Sequence, residues 1–249
     1  MLETTGTKEV YFEKKIDTST KQFTLREYID KRHRYLFVKR VLDVSVSVLV
    51  VLFIFSWLFP ILFLLIRLDS KGPMFFIQKR VGFLGRSFSC LKFRTMVVNS
   101  SANTLQASEN DPRITRVGRF LRKSNLDELP QFLNVLFGDM SIVGPRPHMH
   151  QDCISFSKVV ETYKFRHLTR PGITGLAQVK GYRGPAHDFE RIFRRYQWDA
   201  FYVRNANFWL DLRIIRKTAG QTISYIFNKL FALNEEQPVP SEKNKWSTT

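Results

Sequence analysis

The hydrophobic pattern of the chain is dominated by one uncharged run near its N-terminus. Residues 44–66 contain no charged side chain and are mostly Val, Leu, Ile and Phe. A helix needs about 20 such residues to cross the hydrocarbon core of a bilayer. The alternative is a buried helix of a soluble core, which rarely requires so long an uncharged run. The pattern therefore predicts a helix inserted in a membrane.

Two features of this run predict a re-entrant helix, with a straight span as the alternative. Proline at Pro60 removes one backbone hydrogen bond and clashes with the carbonyl of Ser56, whose hydroxyl can help to satisfy the disturbed backbone. Basic residues, which favour the cytoplasmic side, lie on both flanks of the run. They are Lys31, Arg32, Arg34, Lys39 and Arg40 before it, and Arg67, Lys71, Lys79 and Arg80 after it. A helix that breaks at Ser56 and Pro60 and returns to its starting leaflet satisfies both flanks.

The remaining pattern divides the chain into further segments. Residues 1–27 and 234–249 are polar, lack apolar periodicity and are predicted to be mobile tails. Residues 28–70 hold the membrane helix and its flanks, and residues 71–188 are predicted to form a compact catalytic core. Aromatic and basic residues interleave over 189–233, which predicts amphipathic helices at the membrane interface. Packing of that apolar stripe on the core is the alternative.

Within the core the pattern is mixed. Residues 74–78 and 87–93 alternate like strands, and helical stretches follow Thr115. The fold class is therefore predicted to be α/β and mostly α. It consists of a small globular domain with an N-terminal re-entrant helix and C-terminal interfacial helices.

Charge and cysteine content narrow the possible partners. The excess of lysine and arginine over aspartate and glutamate gives the chain a net charge of +17. This charge implies an anionic partner, which is nucleic acid, anionic membrane lipids or a phosphorylated substrate. The two cysteines, Cys90 and Cys153, have no paired spacing. A disulfide scaffold or a zinc site is therefore not expected, and a reducing cytosolic environment fits.

The residues with the clearest chemical potential lie where a basic stripe meets an acidic pair. Arginines recur at positions 113, 116, 119 and 122, shortly before Asp127 and Glu128. Arginine grips phosphate oxygens bidentately, and magnesium usually binds through one or two carboxylates together with substrate phosphates. A structural alternative exists, because Asn125 with Glu128 three residues later resembles a helix-capping box.

Other basic residues sit in rigid or strand-like contexts. Arg146 lies between two prolines, and Arg170 precedes a proline and a glycine-containing turn. Such loops fix where an arginine points, and their glycines allow close approach of the backbone to a ligand. Lys92 and Arg94 follow the second predicted strand. All of these side chains are candidate phosphate ligands.

Four of these segments, in this order, resemble the bacterial sugar transferase family, the monotopic phosphoglycosyl transferases. They are Lys92-Phe93-Arg94-Thr95-Met96, Arg122 with Leu126-Asp127-Glu128-Leu129-Pro130-Gln131, Gly138-Asp139-Met140-Ser141 with Gly144-Pro145-Arg146-Pro147, and Arg170-Pro171-Gly172-Ile173-Thr174-Gly175 with Ala177-Gln178-Val179. The resemblance covers about residues 39–217 and is highly specific. Only a short tail precedes the core, so the chain is expected to be similar to the minimal form of the family.

The resemblance implies a catalytic role for Asp127 and Glu128 and contacts to phosphate for Arg122, Arg146 and Arg170. It implies transfer of hexose-1-phosphate from a UDP-sugar to undecaprenyl phosphate, through a phosphosugar on Asp127. We expect Mg²⁺, or Mn²⁺, at Asp127. The expected location is the cytoplasmic face of the bacterial inner membrane, at the first committed step of exopolysaccharide, O-antigen or glycoconjugate synthesis.

Several alternatives stay open at this point. UDP-glucose is the first expectation for the donor, because residues 181–184 and the segments Trp198-Asp199 and Trp209-Leu210-Asp211 are similar to the subgroup that transfers glucose-1-phosphate or galactose-1-phosphate. UDP-galactose or an N-acetylhexosamine stays open, because residues 185–188 depart from the more polar, acidic turn associated with glucose enzymes. A homodimer is left open. A membrane-tethered nucleic-acid binder is disfavoured, because the basic residues surround an acidic pair and no nucleic-acid motif is found. A non-catalytic scaffold on the same fold is disfavoured by the intact acidic pair.

Overall fold

The computed structural model describes residues 32–98, 111–184 and 188–230. Over these ranges the chain is mostly helical with a few short strands, which confirms the predicted fold class. The helices are α1 (His33–Val50), α2 (Ser56–Asp69), α3 (Arg116–Ser124), α4 (Gln131–Phe137), α5 (His150–Val159), α6 (Leu176–Val179), α7 (Phe189–Asn205) and α8 (Phe208–Leu230). The strands are β1 (Phe75–Val81), β2 (Ser87–Phe93), β3 (Ser141–Val143) and β4 (Gly172–Thr174). The predicted tails lie outside the described residues.

The uncharged run forms a helix that turns most of its apolar surface outward. From His33 to Asp69 the chain is helical for 37 residues, and only 11% of its most apolar window is buried inside the protein. Phe37, Phe53 and Leu68 are among its exposed side chains. By length and composition this helix can cross a membrane, and its exposure argues against the buried-core alternative.

The break in this helix differs from the predicted one. A π-helical turn, Val51–Phe55, joins α1 to α2, and Pro60 lies inside α2 without opening the helix. The Ser56 hydroxyl donates to the carbonyl of Leu52 at 2.7 Å, so it satisfies a backbone acceptor of the π turn. The interruption therefore precedes Pro60, and a wide turn absorbs it.

Polar side chains hold the long helix on the catalytic core. Lys39, Asp43 and Ser47 recur at a spacing of four, lie on one face and are all buried. The Lys39 ammonium donates to Asp211 of α8 at 2.8 Å. The amide of Ile142 in β3 donates to the Asp43 carboxylate at 3.0 Å. The core-facing stripe of α1 is thus polar while its outer surface is apolar.

The two small sheets arrange the loops around the candidate site. β1 and β2 form an antiparallel pair, with Phe75 opposite Phe93 and Val81 opposite Ser87, at the positions where strands were predicted. β3 and β4 form a parallel pair, with Ser141 opposite Gly172 and Val143 opposite Thr174.

The glycines of the predicted substrate loops pack against each other, which corrects the expectation that they admit a ligand. A β-carbon on Gly172 would lie 2.1 Å from the nitrogen of Gly144. A β-carbon on Gly175 would lie 2.2 Å from the Gly144 carbonyl oxygen. The missing side chains therefore let the segments after β3 and around β4 meet backbone to backbone.

For the C-terminal helices the sequence left two alternatives, a position at the membrane interface and packing on the core. The structure has one face packed on the core and another face exposed. On α7, Ile192 and Tyr196 are buried and belong to an apolar cluster with Phe156 of α5. Phe189 and, on α8, Trp209 are exposed. One face thus packs on the core, and contact of the other face with lipid stays a prediction.

We predict that Asp211→Asn strongly destabilises the protein. The Asp211 carboxylate accepts hydrogen bonds from Lys39, Tyr35 and Tyr202, and both members of the ion pair are buried. Removing one partner of a buried ion pair costs about 3–5 kcal/mol because the other charge stays buried and unpaired. The free energy of unfolding in detergent measures the loss.

The matched control is Glu190→Gln, which breaks the exposed pair between Glu190 and Arg194. An exposed pair of this kind contributes little to stability, because water and salt screen both charges. Equal losses in the two variants would contradict a stabilising role for the buried pair.

Candidate active site

The acidic pair lies in a cavity with a volume of about 710 Å³. Its walls come from β1, from β2 and the residues after it, from the end of α3, and from the segments around Arg146 and Arg183. The basic residues lining it are Arg80, Lys92, Arg94, Arg122, Lys123, Arg146, Arg183 and Arg195, and the acidic ones are Asp127, Glu128 and Asp152. Cations outnumber carboxylates, so the cavity suits a substrate that carries several negative charges.

A sharp change of backbone direction presents the acidic pair to the cavity. Asn125 ends α3 in the left-handed conformation, with φ 58° and ψ 14°. Leu126–Glu128 then forms a single 3-10 turn, in which consecutive side chains point about 120° apart. Asp127 and Glu128 therefore face different neighbours, although both are buried.

Asn125 and Glu128 do not form the capping box that was the structural alternative for the acidic pair. The Asn125 side chain makes no capping hydrogen bond; its amide donates to Thr222 on α8, and its oxygen accepts from Arg183. A residue in the left-handed region ends the preceding helix rather than starting the next one. Thr115 caps α3 instead, by accepting a hydrogen bond from the Gly118 amide at 3.0 Å.

Glu128 is held by two cations. The Lys92 ammonium donates to one carboxylate oxygen at 2.8 Å, and Arg146 donates to both oxygens at 2.6 and 3.2 Å. Burial opposes ionisation of Glu128, but Arg146 and Lys92 outweigh it and lower the pKa. Glu128 is thus a fixed anion that joins β2 to the segment after β3.

Asp127 has a different environment. Its carboxylate accepts no hydrogen bond from the described part of the chain, and it lines the cavity. Burial raises the pKa of Asp127 to about 6, with Glu128 adding to the rise and Lys92 and Arg122 opposing it. A desolvated carboxylate without hydrogen-bond donors has its lone pairs available for a ligand.

The residues of the cavity fit Mg²⁺ only if the ion takes few of its ligands from the protein. The described residues contain no cluster of three or more His, Cys, Asp or Glu side chains that could hold a metal. Both oxygens of Glu128 are occupied by cations, which leaves Asp127 as the available member of the pair. One carboxylate together with substrate phosphates is a usual way for proteins to hold Mg²⁺.

Most of the predicted phosphate ligands meet in this cavity. Lys92, Arg94, Arg122 and Arg146 all line it. Arg122 is carried by α3, whose N-terminus receives a second cap from the membrane helix, because the Val117 amide donates to Asp69 at 2.9 Å. A helix fixed at its start holds the side chains of its last turn in place.

Arg170 is the predicted phosphate ligand that the structure places elsewhere. It is not among the described residues that line the cavity. Its Nε donates to the carbonyl of Gly138 at 3.0 Å, while Arg40 donates to Val135 and Leu136 in the last turn of α4. Arg170 and Arg40 together satisfy carbonyls at the end of that helix.

Other cavity residues were not singled out as ligands from the sequence. Arg183, Arg80 and Arg195 line the cavity from separate parts of the chain. Arg183 donates to Asn125, next to the acidic pair, and to Gln221 of α8. Arg183 lies in a glycine-flanked turn, which was a usable signal. The roles of Arg80 and Arg195 depend on tertiary packing and left no local pattern.

His148, which follows the segment that carries Arg146, is buried. Its Nδ1 contacts the Tyr163 hydroxyl and accepts from Arg166 at 3.2 Å. Arg166 in turn pairs with the buried Asp199 at 2.8 Å. Burial, followed by the neighbouring arginines, lowers the pKa of His148 well below its usual value, so the ring is neutral.

Comparison with known proteins gives the family. The model described as "Bacterial sugar transferase" matches residues 34–225. The chain belongs to the bacterial sugar transferase family.

Three relatives in this family carry named activities. A UDP-glucose:undecaprenyl-phosphate glucose-1-phosphate transferase of Xanthomonas campestris pv. campestris is 49% identical over 166 residues, 64% of this chain and 34% of that protein. One of the same name from Klebsiella pneumoniae is 44% identical over 178 residues, 71% of this chain and 38% of that protein. A UDP-N-acetylgalactosamine-undecaprenyl-phosphate N-acetylgalactosaminephosphotransferase of Aeromonas hydrophila is 44% identical over 186 residues, 74% of this chain and 43% of that protein. The chain spans less than half the length of each of these relatives.

We predict that the buried His148 lowers the free energy of unfolding as the pH drops below about 6.5, the ordinary pKa of histidine, while Asp127, whose pKa is raised to about 6, opposes this fall. The unfolded chain then binds a proton at His148 that the folded chain excludes. Each such histidine lowers the free energy of unfolding by up to about 1.4 kcal/mol for every unit by which the pH falls. His167 contributes in the same direction, because burial lowers its pKa to about 3.

The measurement is the free energy of unfolding in detergent between pH 7 and pH 5. The His148→Gln variant is neutral throughout this range and should show a shallower slope than the parent protein. A slope that is unchanged in this variant would show that His148 does not exclude the proton.

Proposed function

We propose that the protein transfers a hexose-1-phosphate from a UDP-sugar to undecaprenyl phosphate, with Asp127 as the nucleophile. One observation carries the proposal: a buried carboxylate that accepts no hydrogen bond from the described residues lies in a cavity otherwise rich in arginine and lysine. The relatives' names support this reaction class, and the match over residues 34–225 includes every residue assigned a role.

In the first step the Asp127 carboxylate attacks the phosphorus that bears the sugar. The bond from this phosphorus to the bridging oxygen breaks, UMP leaves with the electron pair, and a phosphosugar remains on Asp127. No proton moves, because the carboxylate enters ionised and UMP leaves as its dianion. Arg122, Lys92 and Arg146 border the place where the phosphate charges accumulate. Their charge reduces the repulsion between the carboxylate and the pyrophosphate.

In the second step a phosphate oxygen of the lipid attacks the same phosphorus. The bond to the Asp127 oxygen breaks, the carboxylate is restored, and undecaprenyl diphosphosugar forms. This covalent route lets one cavity process a water-soluble donor and a lipid acceptor in turn.

Glu128 acts as a positioning residue in this scheme. It is ionised and bound by Lys92 and Arg146, so it sets where these two cations point. Mg²⁺ at Asp127 would neutralise further charge on the donor phosphates when it is bound.

The donor sugar is proposed to be glucose. Two relatives named for glucose and one named for N-acetylgalactosamine have similar identity to the chain. Overall likeness therefore does not separate the sugars. The reaction is proposed to open exopolysaccharide or related glycan synthesis at the cytoplasmic face of the bacterial inner membrane.

We predict that Asp127→Asn abolishes both UMP release and formation of a covalent adduct. The amide is a far poorer nucleophile than the carboxylate it replaces. The purified protein in detergent is mixed with UDP-glucose and Mg²⁺ but no lipid. UMP is measured by chromatography, and the adduct by intact-protein mass spectrometry.

The parent protein should gain the mass of one phosphohexose on the peptide that contains Asp127. Repeating the assay with UDP-galactose and UDP-N-acetyl sugars identifies the donor. The control Asp152→Asn changes another cavity carboxylate and should still form the adduct. Turnover by the parent protein without any adduct on Asp127 would refute the covalent route.

We further propose that the helix from His33 to Asp69 enters and leaves the membrane on one side, which places both basic flanks in the cytoplasm. Single cysteines replace the exposed Arg34 and Lys71 in spheroplasts, and an impermeant maleimide tests their access. Both should react only after the membrane is opened.

Native Cys90 and Cys153 are buried, so protein without an added cysteine serves as the unlabelled control. Labelling of one position from outside and the other from inside would show a straight span instead.

A further inference from the structure

Arg94 is a buried cation whose hydrogen bonds are only partly satisfied. Its side chain is 6% exposed. Its Nη2 donates to the carbonyls of Ile66 and Ser70, at 3.2 and 2.6 Å, where the membrane helix ends. Its Nε and Nη1 are buried and have no hydrogen-bond partner. No carboxylate of the described ranges lies within ion-pair distance of this guanidinium.

Two other buried cations of the described residues have the counter-ion that Arg94 lacks, whereas Arg195, which also lines the cavity, has no carboxylate within ion-pair distance. Lys39 is paired with Asp211, and Arg166 is paired with Asp199. Burying a charge without a partner costs several kcal/mol, so buried cations are normally paired or wait for a ligand. Two donors of Arg94 are therefore available to an anion.

The position of Arg94 connects it to the reacting groups. It lies two residues after Lys92 on the same segment, and both side chains line the cavity. Lys92 holds Glu128, whereas Arg94 reaches the end of α2. Gly72 makes room for the guanidinium, since a β-carbon there would lie 2.2 Å from Nη1. An anion on Arg94 thus sits at the border between the cavity and the membrane helix.

The cavity wall beside Arg94 is apolar and open. We call Phe76, Ile77, Val97 and Val98 the apolar rim; all four line the cavity. Ile77 is 56% exposed and Val98 is 66% exposed. Leu68, near the end of α2, is also exposed. An apolar rim next to a cation without a partner matches a ligand with a phosphate head and a hydrocarbon chain.

We propose that Arg94 binds the phosphate of the isoprenoid acceptor and that the apolar rim receives the first part of its hydrocarbon chain. The inference rests on the proposed function and divides the cavity between its two substrates. The donor is bound around Asp127 and Arg146, and the acceptor enters beside α2. Bound there, the acceptor presents a phosphate oxygen towards the phosphosugar on Asp127. That oxygen forms the new bond as the Asp127 oxygen leaves.

The test compares Arg94→Gln with the parent protein in two assays in detergent. The first measures UMP release from UDP-sugar without lipid in a single turnover, and the second measures the KM for polyprenyl phosphate. The expected result is a rise in KM for the lipid of at least tenfold, with the KM for the UDP-sugar within about twofold of the parent value.

Asp69→Asn controls for a merely structural role of Arg94. It weakens another bond between the end of the membrane helix and the core, the one to the Val117 amide, and leaves Arg94 intact. An equal, selective rise in lipid KM in Asp69→Asn would mean that Arg94 acts only by holding the helix end, and would overturn the proposal.

A second pair of variants tests the apolar rim and does not disturb any charge. Ile77→Gln should raise the KM for polyprenyl phosphate, and this increase in KM should be larger for longer isoprenoid chains. Ile154→Gln, which changes an exposed apolar residue of α5 outside the cavity lining, should not raise it. If Arg94→Gln does not fold, equal lipid KM values in these two variants overturn the proposal.

The remaining outcomes separate the sources of failure. If Arg94 binds phospholipid headgroups instead, Arg94→Gln in detergent will retain less added phosphatidylglycerol than the parent protein, while its KM for polyprenyl phosphate stays unchanged. If the parent protein releases no UMP without lipid, the two-step function fails. The lipid KM values still report on Arg94 in that case.

Discussion

The arrangement of the cavity depends on a single buried carboxylate that holds two cations from distant parts of the chain. Glu128 accepts from Lys92 of β2 and from Arg146 after β3. Because Glu128 is buried, its charge would be costly alone, and the two partly exposed cations stabilise it. The same pairing draws Glu128 away from Asp127, which leaves one member of the acidic pair fixed and the other available. Two adjacent residues of similar chemistry therefore have separate tasks.

The long N-terminal helix is joined to this site by polar contacts as well as by apolar ones. Lys39 and Asp43 face the core, and Asp69 caps the helix that carries Arg122. The outward surface of the long helix is apolar. A surface helix of a soluble protein has the opposite arrangement, with its polar face outward. Since polar contacts fix this helix to the core near both of its ends, it is part of the catalytic domain and more than an attachment to the lipid.

The sequence predicts features that depend on local patterns and misses those that depend on packing. The uncharged run, the strands β1 and β2 and the acidic pair were all visible as periodicity or motif. The left-handed turn at Asn125 was missed because a capping box has the same residue spacing. Arg170 is expected in the site because its loop is rigid and matches a family motif; rigidity does not give direction, and the side chain donates to Gly138 at the end of α4. The burial of His148 follows from contacts with Tyr163 and Arg166, residues distant in sequence.

The backbone contact among Gly144, Gly172 and Gly175 also limits how such a protein can change. Any side chain at one of these positions collides with backbone atoms of another segment, and backbone cannot move aside as a side chain can. The segments that meet here, after β3 and around β4, can therefore change only together. A single substitution at one of these three glycines is not tolerated. Among the described residues, by contrast, the turn that carries Arg183 has free space around Gly184, so a side chain there meets no neighbour.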